Sequence, residues 1–143
     1  ARYADRWDAG FLTPEAYRER AAQLDQLLHK AGRMPGDVMR GVTVPVFCGR
    51  DSAELEQRVQ GLRRWGQFAT MPLDQLLEEV RAGLSAITGT PEQVAAQLRA
   101  YVAAGVDELV IQWCDADDLE GLQFLAEQVL PSLAAPGHQL DQL

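Results

Sequence analysis

The sequence predicts an α/β fold built on a small parallel sheet, and three observations carry that prediction. Short strand-like runs (Val42, Val44 and Val46, then residues 108–113) alternate with stretches of helical periodicity. The helices begin at recognisable caps: Thr13-Pro14, Asp51 with Glu54, and Thr90-Pro91 with Gln93. Gly32 and Gly105 supply helix stops between the two kinds of element. Strands that alternate with helices pair in parallel through right-handed crossovers.

In chain order, residues 4–8 read as a short strand ending in Trp7. Thr13 caps a helix that starts at Pro14, with Glu15 in its first turn and Tyr17, Ala21, Leu24 and Leu28 at helical spacing. Residues 38–47 set Val42, Val44 and Val46 against Thr43, Pro45 and Phe47, a strand pattern. Pro45 cannot donate to a ladder, which predicts an edge or a bulge. Asp51 opens a helix through roughly residue 65, striped by Leu55, Val59 and Leu62. After a break at 66–72, a second helix carries Leu73, Leu76, Leu77, Val80 and Leu84. Two helices stand where one connection is usual, so residues 51–85 read as an insertion. Thr90, Pro91 and Gln93 open the next helix, whose buried stripe is Val94, Leu98, Tyr101 and Val102. The strand at 108–113 follows. Asp117 or Asp118 caps a last helix with Leu122, Leu125 and Val129, stopped by Pro131. The folded unit is thus 1–133, with a weakly ordered tail at 134–143. About three strands are too few for a closed barrel, and their open edges call for cover.

Composition narrows the functional classes. The 143 residues fit one domain, and a net charge of −8 argues against a nucleic-acid or anionic-membrane surface. No run is long and apolar enough to span a membrane, and no signal peptide is visible, so the expected location is cytoplasmic. Cys48 and Cys114 are too few for a disulfide framework and read as small buried thiols. His29 lies beside Lys30 on a helix and His138 falls in the tail, which leaves a histidine-dependent mechanism without support. Asp115, Asp117 and Asp118 offer oxygen ligands but lack the glycine and distal glutamate of a calcium loop; the expectation is no metal. The chain opens ARYADRWD without an initiator Met, which reads as a trimmed or truncated polypeptide.

Four segments then carry a resemblance. RYADRWD resembles a Tyr-Ala-Asp-Gly-Trp segment that ends a barrel strand in the luciferase-like monooxygenases, with Arg6 where that family usually has Gly. AGRMPGDV is similar to the family's Gly-Arg-x-Pro linker. GTPEQVAAQLRAYVAAGVDELVI resembles its Gly-Thr-Pro-Glu-x-Val helix and final strand, and DLEGLQFLAEQVLP its closing helix. The matches span nearly the whole chain in the family's order. The resemblance implies a partial (β/α)8 TIM barrel, contributing about the last three strands of an FMN- or coenzyme F420-dependent oxidoreductase that acts on a small-molecule substrate.

It also implies a pocket at the C-terminal ends of the strands, where the flavin performs the chemistry and the protein positions it. Trp7 and Asp8 are expected to end the first strand, Phe47 and Cys48 the second, and Trp113 to Asp115 the third. The candidate pocket residues are Trp7, Asp8, Trp113, Asp115 and Thr90; none is assigned a catalytic role. Each has a plainer reading. Trp7 and Trp113 suit packed aromatics, and Thr90 suits a cap as well as a phosphate contact. A competing reading is a non-catalytic half-barrel that self-associates through exposed strand edges. In either case the isolated 143-residue chain is expected to bind flavin weakly or not at all, and to be a homo-oligomer or to need a missing N-terminal half.

Overall fold

A computed structural model describes residues 1–133, which hold four strands and five α-helices. β1 (Arg6–Gly10), β2 (Met39–Cys48), β3 (Ile87–Gly89) and β4 (Glu108–Gln112) are all parallel to their partners. α1 (Pro14–Lys30) joins β1 to β2, α4 (Pro91–Ala103) joins β3 to β4, and α5 (Leu119–Gln128) follows β4. The expected caps form. Thr13 accepts from the amide of Ala16, Asp51 from that of Glu54, and Asp118 from that of Gly121. Gly32 (φ 72°) and Gly105 (φ 90°) take the left-handed conformation just beyond α1 and α4.

The first strand is displaced from the expected position. β1 runs to Gly10, so Trp7 and Asp8 lie within it rather than at its end. Its exit is made by Phe11, a non-glycine residue at φ 57°. The helix expected to reach residue 65 stops earlier: α2 is Ser52–Gln60, followed by 3-10 turns at Gly61–Arg64 and Gly66–Phe68. Glycines at 61 and 66 weaken helical continuation there. The next helix, α3 (Leu73–Glu78), gives way to a π turn at Glu79–Gly83. Leu122 of α5 is 41% exposed rather than part of the core. The expectation of a weakly ordered tail falls outside the described residues.

β2 is the central strand, not an edge. β1 pairs with its first half and β4 with residues 41–45 on the other side. β3, three residues long and not foreseen from the pattern, pairs with Val46 to Cys48. The position of Pro45 follows from backbone parity. Alternate residues of a strand direct their N–H and C=O groups to the same edge. Thr43 accepts from the Phe11 amide at 3.1 Å and Gly49 donates to Gly89 at 3.1 Å, so β1 and β3 share one edge of β2. Pro45 stands between them on that edge, where β1 has ended and β3 has not begun. Its missing N–H costs no ladder bond.

Two apolar cores result. Val42, Val44, Val46 and Cys48 of β2 pack with Ala9, and with Tyr17 and Ala21 of α1, Val94, Leu98 and Tyr101 of α4, and Leu125 of α5. The segment between β2 and β3 builds the second core from Leu55, Val59, Leu62, Phe68, Leu76 and Val80, resting on Phe47.

Candidate functional site

Side chains alternate across a strand. With Val42, Val44 and Val46 committed to the helices, Gly41, Thr43, Pro45 and Phe47 face the other way. The register places Asp8, Gly41 and Glu108 in one row across the sheet, and Gly10, Thr43 and Val110 in the next. This second face is polar. Arg6 Nη1 reaches Glu108 Oε2 at 2.5 Å, crossing the central strand over Gly41. A Cβ at Gly41 would stand 2.6 Å from Asp8 Oδ1 and 3.5 Å from Arg6 Nη2, so the glycine makes room for both. Thr43 Oγ1 donates to Asp8 Oδ2 at 2.7 Å. Further up, Gln112 ends β4 beside Pro45, and its Oε1 is buried without a hydrogen-bond partner.

Beyond the strand ends lies the acidic run that begins after Trp113, and arginines from α2 and the turn after it neutralise it. Arg58, 9% exposed, pairs with Asp118 at 3.0 Å and Glu54 at 2.7 Å, donates to the Cys48 carbonyl, and lies over the Phe124 ring. Arg64 donates to Asp115 and to Asp117, each at 2.7 Å. Asp118 also caps α5, and its carbonyl accepts from Trp113 Nε1 at 3.1 Å. These groups border a cleft of about 690 Å³ between α2 and the start of α5. A second cleft, of about 660 Å³, lies by the first turns of α2 and α4, lined by Ser52, Arg81, Thr88, Gly89, Thr90 and Gln97.

The thiols are held protonated. Burial pushes Cys48 up to about 11, against the opposing pull of Arg58, and burial also raises Cys114. Neither is an activated nucleophile at neutral pH. They lie on opposite faces of the sheet: Cys48 packs in the helix-facing core and Cys114 against the second core. Both are free. Among the described residues, no group of three or more His, Cys, Asp and Glu side chains is placed to hold a metal ion.

The predicted residues are therefore dispersed. Asp8 lies on the polar face, and Asp115 lines the larger cleft. Trp7 points to the helices and stacks on Tyr17 with centroids 5.3 Å apart; Trp113 also packs against the helix-facing core. Thr90 lines the second cleft as the N-cap of α4: Gln93 Oε1 accepts from its amide at 3.0 Å, and its hydroxyl donates to Glu92 at 2.9 Å. That hydroxyl and the Glu92 backbone amide lower the Glu92 pKa, the backbone bond contributing more. Sequence reasoning missed Phe11, Thr43, Gln112, Arg58 and Arg64. The period-two spacing of Arg6 with Asp8, and of Glu108 with Gln112, was the available signal for the polar face. Nothing local pairs Arg64 with aspartates more than fifty residues away.

The family description "luciferase-like monooxygenase" matches residues 1–108. The chain belongs to the luciferase-like monooxygenase family. Solved structures agree in fold. The chain superposes on the coenzyme F420-dependent tetrahydromethanopterin reductase of Methanopyrus kandleri with TM-score 0.67 and 14% identity, covering 93% of this chain and 46% of that one. For DmoA from Hyphomicrobium sulfonivorans the TM-score is 0.69 at 15% identity, covering 99% and 39%. For the long-chain alkane monooxygenase LadA it is 0.63 at 16%, covering 92% and 37%. This member thus spans less than half the length of each structure. No functionally curated protein matches it. β1, β2 and β4 with their helices form an arc of a luciferase-like (β/α)8 barrel, and the polar face lies on the side away from the helices. No helix among the described residues is long and apolar enough to cross a membrane.

Proposed function

We propose that the chain forms one wall of the substrate and cofactor pocket in an FMN- or coenzyme F420-dependent oxidoreductase. The observation that carries this reading is the polar face opposite the helices, ending in an amide oxygen on Gln112 that is buried and unpaired. A buried acceptor without a donor is costly, and the imide edge shared by FMN and F420 offers an N–H. Two matched structures are named for F420 dependence, and a third was solved with modified FMN. When bound, such a ring supplies the redox chemistry.

In this reading the residues divide by position. Gly10 leaves open space at the end of β1, where a Cβ would meet nothing within 4 Å. Asp8 and Thr43 fix the polarity of the wall below, and Gln112 accepts from the ring. Asp115 borders the pocket from the β4–α5 loop, while Trp7 and Trp113 hold the strands from behind. Thr90 lies at the rim of the second cleft, and residues 51–85 form an inserted cover.

Titration of the full-length gene product with FMN and with F420, followed by fluorescence, tests the proposal. Binding of either one in the micromolar range is expected, and silence with both rejects it. A second reading, a non-catalytic half-barrel that pairs with itself, is favoured by one observation. Among the described residues the outer edges of β1 and β4 have no partner strand. Light scattering that finds a monomer at high concentration rejects that alternative.

A further inference from the structure

Two arginines attach the segment between β2 and β3 to the β4–α5 loop, and they differ in kind. Arg58 is sunk to 9% exposure, holds two carboxylates and a carbonyl, and lies over the Phe124 ring at 5.7 Å from its centroid. Arg64 is 57% exposed, and its partners Asp115 and Asp117 are 22% and 82% exposed. Its backbone is unlike that of Arg58 too. It ends a 3-10 turn between Gly61 and Gly66, outside any α-helix. Its 3-10 turn is short, and its hydrogen-bond geometry is poorer than that of the regular helix carrying Arg58. At the far end of the segment, Ser85 is held at φ 48° just before β3, a second irregular joint.

Under this segment lies Cys114, half-buried beside Phe47 at the ends of β4 and β2. We propose that Arg64 is a salt-sensitive latch: its double grip on Asp115 and Asp117 closes the 61–72 stretch against the β4–α5 loop, over Cys114. Arg58 is the fixed rivet about which the segment stays attached. Screening discriminates between the two. At 1 M salt the Debye length falls to about 3 Å, which weakens an exposed pair far more than a buried one. Release of Arg64 loosens the cover over the strand ends and leaves α2 in place.

The two free thiols supply the reporter and its control. Cys114 lies under the latch, whereas Cys48 is fully buried on the opposite face of the sheet. Alkylation with neutral iodoacetamide at fixed pH, resolved by peptide mass, compares 50 mM with 1 M NaCl in wild type, Arg64→Met and Arg64→Lys. Salt is expected to speed labelling of wild-type Cys114 about fivefold, the factor equivalent to ~1 kcal/mol for one exposed pair. Arg64→Met should label at the fast rate in low salt and lose the salt dependence, while Arg64→Lys keeps part of it. Cys48 should stay unlabelled throughout. Labelling of Arg64→Met at the wild-type rate overturns the latch. So does joint labelling of Cys48 and Cys114, which would mean that Arg64 holds the whole fold together. No cofactor enters this test, so it stands or falls separately from the flavin reading.

Discussion

On one side of β2, Val42, Val44, Val46 and Cys48 are sealed against α1, α4 and α5; on the other, Gly41 and Thr43 lie beneath Arg6, Asp8 and Glu108. Both faces come from alternate residues of the same strands, so neither can be explained by strand propensity. The helix-facing side is what burial of apolar area requires. The other side carries an ion pair, a carboxylate, a threonine and an unpaired amide oxygen. Burial of apolar area does not account for that side, which faces away from the helices, the interior side in a (β/α)8 barrel.

Charge placed on the two sides should separate them most sharply. Val44→Asp buries a carboxylate at a fully enclosed position and should cost more than about 4 kcal/mol, enough to unfold the chain. Thr43→Asp, one residue away, loses the bond to Asp8 and adds a like charge, for about 1 kcal/mol. Urea unfolding followed by circular dichroism measures both. Equal losses would erase the distinction between the faces.

The next effect reports on the sealed side alone. Cys48 has a folded pKa of about 11, raised above the usual 9.0 of the thiol by burial. Its stabilising contribution is complete below pH 9, where both folded and unfolded chains keep the proton. As pH rises through the window from 9 to 11 the unfolded chain loses the proton first, and stability falls. Two units correspond to an upper value of about 2.7 kcal/mol. Tyr17, Tyr101 and Cys114 are also shifted upward and add the same sign. Cys48→Ala should therefore flatten, not abolish, the decline seen in unfolding free energy over that window. An unchanged slope would show that burial of Cys48 is incomplete.

The smallest effect lies on the polar side. Gly41→Ala pushes a methyl group to within 2.6 Å of Asp8 Oδ1 and should cost about 1 kcal/mol through the displaced Asp8–Thr43 bond. In an Asp8→Ala background that cost should vanish, as a double-mutant cycle would reveal. Persistence of the full cost would place the clash in the backbone instead.

What the sequence disclosed and what it hid divide along the same lines. Caps at Thr13, Asp51, Thr90 and Asp118 are local events, written within four residues; all four form, though Glu54 accepts from the Arg50 amide rather than closing a box on Asp51, and Asp118 rather than Asp117 caps α5. The helices α1 and α4 and the strand β2 were legible from periodicity, although Val102, read into the buried stripe of α4, is 55% exposed. β3 is three residues long, too short for any period to register. The helix expected through residue 65 broke at Gly61, a weak helix former, and Leu62 and Phe68 in the turns beyond it pack into the second core. Pro45 implied an edge, since the gap between β1 and β3 that tolerates it is a property of the assembled sheet. Of the candidate site residues, Asp8 lies on the polar face and Asp115 in the cleft between α2 and α5. Trp7 and Trp113 were placed by strand position without their parity, and parity sends both toward the helices. Arg58 and Arg64 were invisible for a simpler reason: their partners in the β4–α5 loop are distant in sequence.

Methyl groups on the two faces report directly on which side of the sheet a flavin meets. Thr43 and Val110 carry them on the polar face, Val42 and Val44 against the helices. With these methyls labelled in the full-length gene product, NMR spectra taken with and without saturating FMN or F420 compare the two sides within one molecule. Ring-current shifts are expected at Thr43 and Val110 with one of the two cofactors, and none at Val42 and Val44. Shifts confined to the helix-facing methyls, or no shift on either face with either cofactor, would contradict a flavin on the polar face.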